Sequence, residues 1–192
     1  MQRFGAATGI FSPTLAFACI LIAIASHPSF SWTNNALSDL GVISGITGLL
    51  FNFGLCASGL LALNFSAFGL FSNFKKNWAG KIGSAIFATA TIALIAIGVF
   101  NEHYSGTHYA VSMAFFTLIP ISMFIITSAF LLDQQVRMAL FTMVTGFAAG
   151  LPWILLFAIH YVPDVAIPEF ASGIIVSTWT LVVCYRILKK AN

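Results

Sequence analysis

The chain repeats one pattern six times: an apolar run long enough to cross a bilayer, then a short polar break. A helix needs about 20 apolar residues to span the hydrocarbon core. Runs of that length are expected at about residues 5–26, 42–72, 79–100, 109–132, 138–161 and 166–188. The second exceeds one span, which asks for a tilted helix or one that projects beyond the membrane. Pro13 interrupts the first, and neighbouring helices can satisfy the backbone group it frees. That first run is longer than the apolar core of a signal peptide. No small-x-small cleavage pattern follows it in His27-Pro28-Ser29-Phe30, so it is expected to remain as a membrane helix.

Composition agrees. Hydrophobic residues make up 59% of 192, Phe occurs 20 times, and only 7% are charged. A soluble domain has too little interior to hide that much apolar surface. The expectation is an all-α protein, a six-transmembrane-helix bundle forming one integral membrane domain over residues 1–192.

Charge orients it. The basic residues Arg3, Lys75, Lys76, Lys81, Arg137, Arg186, Lys189 and Lys190 all fall at the termini or in the second and fourth connections. Basic residues favour the cytoplasmic side, so both termini are expected in the cytoplasm of a multi-pass cell-membrane protein. Asp39, Glu102, Asp164, Glu169 and all four histidines fall on the opposite, outer side, and Asp133 is the acid that does not. The net charge of +3 is scattered over membrane flanks rather than gathered in a patch, so no nucleic-acid partner is expected.

Several chemistries lose support from the residues alone. Cys19, Cys56 and Cys184 lie apart inside apolar runs, as buried thiols do, and do not suggest a disulfide framework. The helix interiors hold no axial histidines, so haem is not an expected cofactor, and no nucleotide is expected either. Charges near the middle of the spans, which ion relays use, are lacking. Asn52, Asn64 and Thr117 are the polar residues left to line a modest cavity. Trp32, Trp78, Tyr104, Tyr109 and Tyr161 fall where an interfacial aromatic belt would. The pairs Gly5/Gly9, Gly41/Gly45 and Gly146/Gly150 have the spacing that lets helices approach closely, more simply within one chain than between two.

The outer side is where chemistry could gather, because antiparallel helices bring three outer connections to one end. Asn35, Ser38, Asp39, Glu102 and His108 are the candidate ligand-binding residues. Asp39, Glu102 and His108 are the candidate catalytic ones, with a carboxylate as general base. His108, His160 and Asp39 are the candidate ligands of a divalent metal, which His and carboxylate donors suit. The spacing of His103 and His108 is not that of a metal-binding helix face. Ser105-Gly106 is expected to be a turn between them, with Thr107 capping the fourth helix. Ser38-Asp39 has a plainer reading as an N-terminal cap of the second helix. A nucleophile set of Ser38, Asp39 and His108 has no local signature behind it.

The segment Trp32-Thr33-Asn34-Asn35-Ala36-Leu37-Ser38-Asp39-Leu40-Gly41, with Phe51-Asn52-Phe53-Gly54, Phe100-Asn101-Glu102, His108-Tyr109 and Phe115-Phe116, resembles the prokaryotic membrane family called domain of unknown function 998. The likeness extends over nearly the whole chain, and Leu37-Ser38-Asp39-Leu40-Gly41 is its most specific part. It implies a six-helix integral membrane protein and brings no activity with it. The layout is more loosely similar to membrane proteins of the Frag1/DRAM/Sfk1 type. Those have been compared with lipid-amide hydrolases that use a His/Asp zinc site. By that comparison Asp39, Glu102 and His108 are the positions to carry over, while the hydrolases' late His-x-x-x-His has no counterpart beside His160.

Three functions follow as expectations. The first is an outer-leaflet polar site that binds, or also hydrolyses, a lipid or small polar molecule. The second is a non-catalytic accessory subunit that packs against its own copies or another membrane protein. The third is small-solute transport past Asn52 and Asn64.

Overall fold

The computed structural model describes residues 1–190. Among them six helices are long and apolar enough to cross a membrane: α1 (Gln2–Ala25), α2 (Ile46–Asn73), α3 (Trp78–Val99), α4 (Ser105–Leu132), α5 (Val136–Ile159) and α6 (Ala166–Lys190). Each packs on its neighbour in sequence, and α1 also packs on α6. The helices therefore form a closed ring.

Two short 3-10 turns, Ser38–Val42 and Glu102–Tyr104, sit at the end of the ring that carries the acids. Trp32, Tyr104, Tyr109 and Tyr161 are exposed at this acidic end and Trp78 at the basic one, as interfacial side chains with one polar group would be.

Close approach holds the ring together on the α1 side. Phe65–Leu70 of α2 winds as a π-helix, and α1 lies directly against it. A Cβ at Gly5 would collide with the backbone of Phe68 and Gly69, and one at Gly9 with Phe65 and Cys184. The Gly5/Gly9 pair is thus spent on packing within the chain. Gly41/Gly45 is not a helix face at all: Gly45 precedes α2 with φ +87°, a conformation that favours glycine. Gly146 packs near Met123 of α4, whereas a Cβ at Gly150 would meet nothing within 4 Å.

The basic end is closed by side-chain to side-chain and side-chain to backbone bonds. Asn77 accepts from Gly80 N to cap α3, and its Nδ2 donates to Ala129 O at 2.8 Å and Asp133 Oδ1 at 2.9 Å. Arg186 Nη2 donates to Gln135 Oε1 at 2.9 Å, joining the end of α6 to the start of α5. Deeper in the ring, Trp179 Nε1 donates to Thr142 Oγ1 at 3.0 Å and Ser172 Oγ to Ala149 O at 2.7 Å, fixing α5 to α6. Buried donors in a membrane need such partners. A core of Phe65, Phe87, Met123, Ile126 and Trp179 fills this half.

Two boundaries differ from the sequence expectation. The second helix begins at Ile46 rather than near 42, because Ser38–Val42 forms its own turn; Ser38 and Asp39 therefore do not cap α2. The fourth begins at Ser105, directly after the Glu102–Tyr104 turn, with Tyr104 and not Thr107 at its cap position. Ser105 and Gly106 are helical, so no turn separates His103 from His108.

Candidate functional site

The acidic end is built on the long connection between α1 and α2. Thr33 O accepts from Asp164 N at 3.2 Å, and Asn35 O accepts from Ala166 N at 3.0 Å, so this connection lies across the start of α6. Trp32 packs edge-on against Phe170 with ring centroids 4.9 Å apart, and Phe170 in turn meets Phe17 of α1 at 5.2 Å. Leu37 N donates to Glu169 Oε2 at 2.7 Å, which fixes the chain just before the Ser38–Val42 turn.

The turn itself is pinned from below. Asn52 Nδ2 donates to Gly41 O at 2.8 Å, and Asn101 Nδ2 reaches the same carbonyl at 3.3 Å. A Cβ on Gly41 would stand 2.6 Å from Asn52 Oδ1, so any larger residue there would force the Asn52 amide to move. Asn52 is consequently a structural pin rather than a lining of a transport path, and neither Asn52 nor Asn64 lines any of the described cavities.

With the backbone held, the side chains meet. Asp39 Oδ2 accepts from Asn35 Nδ2 at 2.8 Å and Ala36 N at 3.1 Å. Ser38 Oγ donates to Glu102 Oε1 at 2.6 Å, and that oxygen lies 3.8 Å from His108 Nε2. His108 is buried on the first turns of α4. Its Nδ1 is 2.7 Å from Phe100 O; a carbonyl only accepts, so Nδ1 carries a proton. Nε2 then faces Glu102 and, at 3.4 Å, Ser112 Oγ.

These groups surround an open chamber of about 370 Å³. Ser38, Asp39, Glu102, His108, Asp164 and Glu169 form its polar wall; Tyr109, Phe116 and Trp153 form an aromatic one. It adjoins two apolar spaces. Beneath it, inside the ring, lies a cavity of about 140 Å³ lined by residues such as Phe17, Ile20, Leu55, Leu94, Phe115 and Val176, and the two share Ser38, Ser112, Phe116 and Glu169. Beside it, a groove of about 400 Å³ runs between α4 and α5 and shares Met113, Phe116 and Trp153. Exposed Ile121, Phe124, Phe147 and Phe157 line that groove, which places it on the face turned towards lipid.

Four of the five expected ligand-binding residues, Ser38, Asp39, Glu102 and His108, line the chamber, and Asn35 stands behind them as a partner of Asp39. His160 does not join them. It is exposed at the C-terminal cap of α5 with φ 47°, and among the described residues no three of His, Cys, Asp and Glu group as metal ligands do. The proposed metal set of His108, His160 and Asp39 is therefore not assembled. His103 is exposed in the Glu102–Tyr104 turn. The Ser38, Asp39 and His108 nucleophile set is not formed either, because Glu102 stands between the serine and the imidazole. A catalytic triad places histidine next to the serine as its base.

Glu169 belongs to the site and was not among the candidates. It sits at the joint of the chamber and the inner cavity, in the first turn of α6, where an acid also suits the helix N-terminus. Its sequence signal was a carboxylate three residues into an apolar run, a costly position.

A closed ring of six membrane-spanning helices, with a polar chamber at one end over an apolar interior, defines a polytopic membrane protein. The chain belongs to the family described as Protein of unknown function (DUF998), whose pattern matches residues 10–186. No curated protein and no solved structure matches it.

Proposed function

We propose that the chamber and the cavity beneath it bind one amphipathic molecule, a lipid or a small amphiphile, with its polar end among Ser38, Asp39, Glu102, His108 and Glu169. The observation that carries this reading is the shared joint. Ser38, Ser112, Phe116 and Glu169 border both a polar space and an apolar one, so a single ligand can satisfy both. The groove between α4 and α5 offers such a molecule a way in from the bilayer. The basic residues at the other end favour an orientation with the chamber outside and both termini in the cytoplasm of the cell membrane.

Binding is favoured over hydrolysis by the order Ser38–Glu102–His108, which leaves the serine bonded to a carboxylate instead of to the imidazole.

The test is a titration of protein in nanodiscs with twelve-carbon amphiphiles, alongside Gly173→Leu. Gly173 lines the inner cavity, and a Cβ there meets only Phe17 at an ordinary 3.4 Å. The leucine should fill the space without disturbing α6. Saturable binding to the native chain that Gly173→Leu weakens at least tenfold supports the reading. Binding that the variant leaves unchanged contradicts it.

A further inference from the structure

We propose that the polar end of the bound molecule is an ammonium group, so that the ligand is a long-chain amine and not a phosphate-bearing lipid. This rests on the amphiphile-binding reading above and adds the charge of the ligand. Three features of the chamber carry it.

The first is the sign of its wall. Three acids, Asp39, Glu102 and Asp164, line the chamber beside the buried Glu169 carboxyl, and among the described residues lining it there is no Lys or Arg. Backbone and neutral side-chain donors temper these acids: Asn35 and Ala36 N bond Asp39, Val165 N bonds Asp164, Leu37 N bonds Glu169 and Ser38 bonds Glu102. None of those donors brings a positive charge. His108 also lines the chamber, with Nε2 3.8 Å from Glu102 Oε1. A concave wall of one sign in a low-dielectric setting draws the opposite charge and rejects its own. A phosphate headgroup would need Lys or Arg forks to be held here, and all eight are distributed over the other end of the molecule by the chain's order.

The second is the spread of the acids. They do not converge on one point: among the described residues no three donors group at metal-binding range. Carboxylates spaced around a chamber of about 370 Å³ match a bulky organic cation better than a bare metal ion.

The third is independent of the acids. Tyr109, Phe116 and Trp153 also line the chamber, and the Phe116 and Trp153 rings pack at a tilt with centroids 4.6 Å apart. Aromatic rings lining a site together with carboxylates suit a bound ammonium group, through cation–π attraction. The alkyl tail then descends past Ser112 and Glu169 into the inner cavity, where the lining is apolar.

The experiment measures binding of dodecylamine, dodecanol and dodecyl phosphate to the native protein in zwitterionic nanodiscs, with empty discs subtracted. The same three are then measured on the double variant Glu102→Gln/Glu169→Gln and on Asp164→Asn. Each substitution keeps an acceptor for Ser38, Leu37 N or Val165 N, so the fold is retained, and melting curves check this. The proposal expects dodecylamine to bind at least tenfold tighter than dodecanol, with dodecyl phosphate weakest. The double variant should erase the amine's advantage over dodecanol, with Asp164→Asn giving a smaller loss in the same direction. Equal binding of all three, or amine binding indifferent to both variants, overturns the ammonium assignment while leaving the amphiphile site standing. Absence of saturable binding by any of the three overturns both.

Discussion

Ser38 Oγ lies 2.6 Å from Glu102 Oε1, a hydrogen bond between residues 64 apart that joins the α1–α2 connection to the α3–α4 connection over the chamber. The serine is buried while the glutamate carboxylate is about one-third exposed, 35%. The pair therefore ties the two connections together at the chamber wall, with the glutamate still partly open to the chamber.

Removing that bond should loosen the roof more than the bundle. Ser38→Ala is expected to cost about 1 kcal/mol, less than is usual for a hydrogen bond to a charged group because Glu102 is partly hydrated. Thermal unfolding in one fixed detergent checks the cost. An unchanged melting temperature would mean the bond contributes nothing.

Gly41→Ala should be worse than its size suggests. The added Cβ meets Asn52 Oδ1 at 2.6 Å, so Asn52 must move and its bond to Gly41 O is lost. A cost of about 1–3 kcal/mol is expected from overpacking, together with weaker amphiphile binding, because the Ser38 turn shifts. Asn52→Ala should weaken binding in the same direction without the clash. Normal binding by both variants would show that the turn does not need its pin.

Two glycines with the same four-residue spacing to a partner should behave oppositely. Gly5→Ala drives a methyl into the α2 backbone at Phe68 and Gly69, whereas Gly150→Ala enters open space. The first should destabilise by about 1–3 kcal/mol. The second should stay within about 0.5 kcal/mol of native. Unfolding curves of the two decide it, and equal losses would contradict the packing described for α1.

Orientation is testable by labelling. Single cysteines placed at His103 and Lys75, in a chain whose three native cysteines are replaced by serine or alanine, should react with a membrane-impermeant maleimide from opposite sides of intact cells. The acidic-end position should label from outside. Labelling of the Lys75 position instead would invert the topology.

The six spans were legible because runs of apolar residues and the placement of Lys and Arg are one-dimensional signals. Most ends match within a few residues, and the α6 start at Ala166 agrees outright. The start of α4 was misread because Ser105-Gly106 has turn chemistry locally, and what makes it helical is the preceding Glu102–Tyr104 turn feeding straight into α4. Ser38, Asp39, Glu102 and His108 could be picked as costly polar groups gathered on one side. Their pairing could not be picked, since it depends on how the α1–α2 connection folds across α6. Glu169 shows this most clearly: its partner Leu37 N is 132 residues away, and no pattern in the chain links the two. The same holds for Asn52, whose role appears only when Gly41 is seen above it.

One amphiphile per chain should be held in the chamber and the cavity beneath it. Native mass spectrometry of protein extracted in a mild detergent reads this directly. A single bound mass should stay on the native chain at activation energies that strip bulk lipid, and be lost from Gly173→Leu. A native chain that releases every lipid as easily as Gly173→Leu does, with no one-to-one adduct, would contradict it.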